Sequence, residues 1–156
     1  MTRKILLGLG NPLGRDDALG LRVAEALRGT EWLSIPAISL ENVLGMVERE
    51  KPEKLVIVDA AEMGLPPGTI RRLPLSQSVG MLGSTHGLPL PLLLSLSGIK
   101  DVILIGVEPK ERGSGLGLSP EVEEAISHLI SLLKADRIAE IPELARDFSV
   151  PERPGE

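Results

Sequence analysis

The chain of 156 residues contains no cysteine, which excludes a disulfide scaffold and thiolate zinc sites. Trp32 and Phe148 are the only aromatic residues, so the hydrophobic core must be built from aliphatic side chains. No apolar run approaches the roughly 20 residues of a membrane-spanning helix, and the start of the chain lacks the cleavage site of a signal peptide. The chain has 17 Lys and Arg residues against 22 Asp and Glu. It lacks a stripe of basic residues of the kind that binds nucleic acid. We therefore expect a cytoplasmic protein that binds no nucleic acid and does not insert into a membrane.

The length and the 42% hydrophobic share are typical of one globular domain. The apolar periodicity continues to about residue 134 and then fades, and the last residues, SVPERPGE, are rich in proline and charge. We predict one domain over residues 1–136, followed by an extension over 137–156 that is disordered at its end.

Strand and helix patterns alternate along the chain. Strand patterns occur at residues 4–9, 32–38, 54–59, 69–73 and 101–107. Helix patterns occur at residues 17–28, 41–50, 89–97 and 119–134, the last with Ser119 as its N-cap and Pro120 as its first residue. Pro36 places its strand at a sheet edge. The alternation predicts an α/β fold with a mostly parallel sheet and helices on both faces, and a site beyond the carboxyl ends of the strands.

The segment GLGNPLGRDDALG, residues 8–20, combines four glycines with adjacent Asp16 and Asp17. Its glycine spacing departs from the dinucleotide-binding fingerprint. Pro12 has no N–H to offer a phosphate, and the two carboxylates stand where the anion would bind. With a nucleotide loop disfavoured, two interpretations stay open. Either Asp16 caps the next helix with Asp17 in its first turn, or the aspartates belong to a site.

Three side chains are candidates for that site. Asp17 follows the first strand, Asp59 ends the central strand, and His86 lies in the loop of residues 76–87. Two carboxylates and an imidazole would bind zinc, manganese, iron, nickel or cadmium with coordination positions left open, or polarise a water for hydrolysis. Each has a simpler alternative, because Asp59 could bond nearby backbone N–H groups and His86 could be a surface histidine.

Other titratable residues are weaker candidates. We interpret His128, on the polar face of the last helix, as a solvated surface residue, and place Glu62 and Glu108 on the surface or around the site. Neither a G-x-S-x-G nucleophile elbow nor an H-E-x-x-H helix is present, which excludes a standard α/β-hydrolase and a standard zincin.

Four motifs together carry a family resemblance. They are GLGNPLGRDDALGLRVAEAL, VIVDAAEMGLPPGTIRRL, STHGLPL and ILIGVEP. In this order they resemble the hydrogenase maturation endopeptidases, most of all the branch that serves hydrogenase-3-type enzymes, over residues 4–133. The chain departs from the family at Ala18, where many members have glycine, and at Gly14 and Arg15, in a segment that is often more apolar. GLGNP also resembles peptidyl-tRNA hydrolase, but the histidine-bearing segment and the basic surface of that family are missing.

The resemblance implies a three-layer αβα sandwich with a twisted five-stranded sheet. It implies an endopeptidase that removes the C-terminal extension of a [NiFe]-hydrogenase large-subunit precursor after nickel insertion. The ligands of the family map to Asp17, Asp59 and His86, which makes these three the expected metal-contacting and catalytic residues. The nickel would be carried by the substrate, with zinc or cadmium able to replace it in vitro, and we expect the enzyme to be a monomer. A nickel metallochaperone or metal-sensing module that uses the same three groups stays open as the alternative.

Overall fold

A computed structural model describes residues 3–73 and 98–144 of the chain. Its strands are β1 (Lys4–Leu9), β2 (Leu33–Ala37), β3 (Lys54–Ala60), β4 (Ile70–Leu73) and β5 (Asp101–Val107). Its α-helices are α1 (Leu19–Ala26), α2 (Leu44–Glu50) and α3 (Pro120–Lys134). Short 3₁₀ turns lie at Arg15–Ala18, Leu40–Asn42 and Ile138–Glu140. The predicted helix at 89–97 and the loop at 76–87 lie outside the described residues.

The strands form one sheet in the order β2-β1-β3-β5-β4. Neighbouring strands run parallel except for β4, which pairs antiparallel with β5. The mostly parallel five-stranded sheet is therefore confirmed, and β2, which contains Pro36, is an edge strand as predicted. Consecutive apolar residues are typical of parallel strands because the helices of their crossover connections cover both faces of the sheet.

Hydrophobic cores lie on both faces of this sheet. Leu6 and Val56 pack with buried side chains of α1 and α3 on one face. Leu7 and Ile57, one position further along the same strands, pack with Val47 of α2 on the other. Since successive strand residues point to opposite faces, two consecutive apolar residues supply both cores, and the three-layer αβα sandwich is confirmed.

Two glycines allow α1 to lie against the sheet. A Cβ on Gly8 would lie 1.9 Å from the carbonyl oxygen of Gly20, and a Cβ on Gly20 would lie 2.1 Å from that of Leu9 and 2.5 Å from that of Val58. Alanine at either position would collide with backbone that cannot move alone. Close packing rather than phosphate binding accounts for these glycines, and it brings the start of α1 over the carboxyl ends of β1 and β3.

After α3 the chain returns to the outer edge of the sheet. The backbone N–H of Arg72 in β4 donates to the carbonyl oxygen of Pro142 (2.9 Å), and the N–H of Leu144 donates to that of Arg72 (2.8 Å). Ile138 and Ile141 are buried in the same core as α3. Residues 138–144 thus pack with the domain and cover part of the β4 edge, while the end of the predicted extension, from residue 145 on, lies outside the described residues.

Within residues 3–73 and 98–144, each helix is too short or too polar to cross a bilayer.

Candidate active site

Asp17 and Asp59 lie at the same edge of the sheet. Strands β1 and β3 are parallel neighbours whose pairing reaches Gly8 and Val58, and Asp59 is the next residue of β3. The N–H of Asn11 donates to the carbonyl oxygen of Asp17 (3.0 Å), so the 3₁₀ turn folds back over the end of β1; this turn also packs against β3. Two of the three expected site residues thus lie at the carboxyl ends of adjacent strands, Asp17 in the turn that follows β1 and Asp59 as the second-last residue of β3, at the edge where α/β proteins place their sites.

Asp59 is fully buried at this edge. Its Oδ1 accepts a hydrogen bond from the N–H of Ala60 (2.7 Å), the expected kind of local contact, although β3 ends at Ala60, one residue later than predicted. A buried carboxylate with this local bond suits either a structural role or a preorganised ligand.

The interpretation of Asp16 as a helix cap is wrong. The residue before the 3₁₀ turn is Gly14, α1 begins only at Leu19, and no side chain caps either start. Asp16 is instead fully buried inside the turn, and its carboxylate points to a segment almost a hundred residues away. The local pattern of an acidic residue before an apolar helix predicted a cap, but the carboxylate accepts long-range hydrogen bonds instead.

That contact is a set of four hydrogen bonds to the loop of residues 108–119, called the 108–119 loop below. Oδ2 of Asp16 accepts from the backbone N–H groups of Lys110 (2.8 Å) and Glu111 (2.7 Å) and from the hydroxyl of Ser119 (2.8 Å). Oδ1 accepts from the N–H of Ser119 (2.8 Å). Ser119 keeps its predicted place before Pro120 at the start of α3, but its hydroxyl makes no capping bond to the helix.

These bonds set the charge of Asp16. Burial raises the pKa of the Asp16 carboxyl, whereas the hydrogen bonds from Glu111, Ser119 and Lys110 favour its ionised form and together bring that pKa below its ordinary value. Asp16 is therefore an ionised clamp that ties the first loop of the chain to the 108–119 loop.

Asp17, one residue later, has a different environment. Its side chain is 17% exposed, and its Oδ1 accepts a hydrogen bond from Nε of Arg112 (2.9 Å). Arg112 also donates from Nη1 to the carboxylate of Glu62, so one guanidinium joins two carboxylates. Burial alone would lower the pKa of Arg112, but Asp17 and Glu62 raise it above its ordinary value, which keeps the side chain charged.

Sequence reasoning missed Arg112 as part of this edge. It lies in the glycine-rich stretch EPKERGSGLG, 95 positions from Asp17, and no local pattern distinguishes it from the other basic residues of the chain. Glu62, expected at the surface or around the site, is Arg112's second partner. Glu108 is an anchor of the loop after β3, because its Oε1 accepts from the N–H groups of Met63 (2.8 Å) and Leu65 (3.2 Å).

The remaining candidates are a pair of histidines. His128 is exposed on α3, as expected, and lines a groove with Glu121 and Glu124 to which Asp17 does not contribute. His86 lies outside the described residues. Across residues 3–73 and 98–144 no three His, Asp or Glu side chains are grouped closely enough to hold a metal ion.

Comparison with known proteins decides the family. The sequence profile of the hydrogenase maturation proteases (HycI) matches residues 39–135, more than half of the chain. The hydrogenase 3 maturation protease of Escherichia coli K12 is 30% identical over 137 residues, covering 83% of this chain and 88% of that protein. This chain belongs to the hydrogenase maturation protease family.

Two further similarities are consistent with this membership. The hydrogenase expression/formation protein HupD of Thiocapsa roseopersicina is 32% identical over 143 residues, which cover 82% of this chain but only 64% of HupD, so the chain spans slightly less than two thirds of that relative. The solution structure of the endopeptidase HycI from Escherichia coli superposes with a TM-score of 0.83 at 29% identity, covering 98% of this chain and all of HycI. The expected family, fold and enzyme class, a protease, are confirmed, and the alternative of a non-catalytic metal-binding module is not supported.

Proposed function

We propose that this hydrogenase maturation protease removes the C-terminal extension of a [NiFe]-hydrogenase large-subunit precursor after nickel insertion, and that it recognises the inserted nickel through Asp17, Asp59 and His86. Family membership supports the protease activity on a hydrogenase protein. The position of Asp17 and Asp59 at the carboxyl ends of the neighbouring strands β1 and β3 is the observation that carries the metal-recognition part.

The chemistry of these groups fits a metal that arrives with the substrate. Carboxylates and imidazole are suitable ligands for a borderline divalent ion such as nickel, and zinc or cadmium would replace it in vitro. Three protein ligands leave coordination positions for the groups of the precursor and for a water that attacks the scissile carbonyl. A precursor without nickel lacks this contact, so the enzyme would discriminate against it by the lost binding energy.

The two carboxylates differ in accessibility. Asp59 is fully buried and Asp17 is partly exposed, which suits a site that is entered past Asp17. Asp16 is excluded from a ligand role because four protein hydrogen bonds already occupy its carboxylate. We propose that the enzyme acts in the cytoplasm as a monomer and that the nickel-loaded precursor is its partner.

Single substitutions at the three proposed ligands test this function. Asp17→Asn, Asp59→Asn and His86→Ala should each stop the shortening of nickel-loaded precursor, measured by mass spectrometry, because each removes one contact to the metal. The matched control is His128→Ala, since that histidine is exposed on α3, and it should leave processing unchanged. Normal processing by the Asp17 variant, or loss of processing in the His128 control, would contradict the assignment.

A further inference from the structure

The proposed nickel contact at Asp17 is already paired with a cation of the protein itself. Nε of Arg112 lies 2.9 Å from Oδ1 of Asp17, and its Nη1 contacts Glu62. The Arg112 side chain is 30% exposed, against 64% for Glu62, so the guanidinium is withdrawn towards Asp17 rather than extended into solvent. A second cation that approaches this carboxylate therefore competes with the guanidinium for its negative charge.

The backbone that carries Arg112 is fixed, so the pairing is more than a chance contact between flexible side chains. Asp16 holds the N–H groups of Lys110 and Glu111 just before Arg112 and holds Ser119 after it. In the opposite direction, the N–H of Asp16 donates to the carbonyl oxygen of Glu111 (2.8 Å). The buried Asp16 thereby fixes the loop in a position from which Arg112 reaches the partly exposed Asp17.

We propose that Arg112 is a specificity-determining residue that holds Asp17 in the free enzyme, so that a divalent cation binds at this edge in competition with the guanidinium. This inference rests on the proposed function, in which Asp17 contacts the nickel of the precursor. A free ion in solution must displace Arg112 with its own affinity alone, whereas nickel seated in the precursor also has the protein–protein contacts of docking behind it. The displaced guanidinium keeps Glu62 as a partner and stays close, which makes the exchange reversible.

The consequence is a low affinity of the empty enzyme for free metal. Removing the positive charge of Arg112 should raise the affinity for free metal about tenfold. This factor corresponds to roughly 1.4 kcal/mol, the combined cost of breaking the Arg112–Asp17 pair and of the repulsion between the guanidinium and the metal ion. Processing should then become sensitive to free metal, because an ion bound at the edge blocks the approach of the precursor.

Isothermal titration of the full chain with Ni²⁺ alone tests the proposal. Arg112→Met should bind Ni²⁺ about tenfold more tightly than the wild type, and free Ni²⁺ should inhibit its processing of loaded precursor at about tenfold lower concentration. Arg112→Lys, which keeps the charge but not the planar fork, should bind Ni²⁺ more weakly than Arg112→Met does. Arg22→Met is the matched control, since it removes the same charge from a surface pair with Glu123 between α1 and α3, and it should change neither readout.

The outcomes separate this inference from the proposed function. If Asp17→Asn abolishes Ni²⁺ binding and processing while Arg112→Met binds Ni²⁺ as the wild type does, Arg112 is not a competitor and only this inference fails. If Asp17→Asn binds Ni²⁺ and processes precursor normally, the proposed role of Asp17 as a nickel contact is wrong, and the inference about Arg112 that rests on it is wrong as well. Arg112→Gln, which keeps hydrogen-bond donors for Asp17 and Glu62 without the charge, should show the same tighter binding if the methionine variant does not fold.

Discussion

Exchanging Asp16 and Asp17 for asparagine, one at a time, should separate stability from activity at two adjacent residues. The chemical change is identical, but the surroundings are not. Asp16 is fully buried and accepts four hydrogen bonds, whereas Asp17 is partly exposed and accepts one from Arg112.

The magnitudes follow from what an amide can accept. Asparagine at position 16 presents one oxygen, and its NH₂ group must face at least one of the N–H donors of the 108–119 loop. A hydrogen bond to a charged group contributes about 1.5–3 kcal/mol, so one lost bond and one opposed donor should cost about 2–4 kcal/mol. At position 17 the loss is that of one partly exposed ion pair, about 0.5–1 kcal/mol.

Urea unfolding at neutral pH measures both losses as shifts of the midpoint at constant slope. A loss of ~3 kcal/mol should also lower Tm by roughly 6–12 °C in a domain of this size. Asp16→Asn should be the destabilised variant, and Asp17→Asn should keep its stability and lose processing. If Asp16→Asn unfolds like the wild type while Asp17→Asn loses more than ~2 kcal/mol, the structural and functional roles of the two residues are reversed.

Three further results test the fold. The stability that Asp16→Ala loses relative to the wild type should shrink as the pH falls below 3.8, the ordinary pKa of the carboxyl group. The folded state lowers the pKa of Asp16, so the ionised carboxylate stabilises the fold above pH 3.8 and this contribution is lost on acidification. If urea unfolding gave the same stability difference between variant and wild type down to about pH 2, Asp16 would not act as an ionised clamp. Gly20→Ala should abolish folding or cost more than ~3 kcal/mol of stability by overpacking. Gly45→Ala in α2, whose Cβ would meet nothing closer than 3.6 Å, should instead stabilise the protein by ~0.5–1 kcal/mol. A higher Tm for Gly20→Ala than for Gly45→Ala would refute the close-packing explanation. Trp32→Phe removes the buried Nε1 donor to the carbonyl oxygen of Leu133 (3.0 Å) and should cost about 1–3 kcal/mol, and an unchanged unfolding midpoint would show that this bond is dispensable.

The sheet was predictable from sequence because its signals are local. Consecutive apolar residues located β1, β3 and β5, and their burial on both faces is what such runs require. Pro36 indicated an edge strand, since proline cannot donate to a neighbouring strand. Placing Asp17 and Asp59 at one edge then needed only the rule that carboxyl ends of parallel strands share a side.

The sequence did not predict which residue of the Asp16–Asp17 pair is structural and which is available to the site. Two identical neighbours give no local signal of which one turns inwards, and the donors that hold Asp16 lie in the 108–119 loop, far along the chain. Arg112 is hidden for the same reason, because its role depends on where that loop is anchored. Long-range hydrogen bonds replaced the expected helix cap and delayed the start of α1 to Leu19.

The central claim is that the enzyme reads nickel inside its substrate, and the most direct measurement compares one precursor with and without nickel. Purified enzyme is incubated with each form, and the mass of the precursor is followed over time. We expect the nickel-loaded precursor to lose its C-terminal peptide and the nickel-free precursor to keep its full mass. Equal cleavage of the two forms would contradict metal recognition by Asp17, Asp59 and His86.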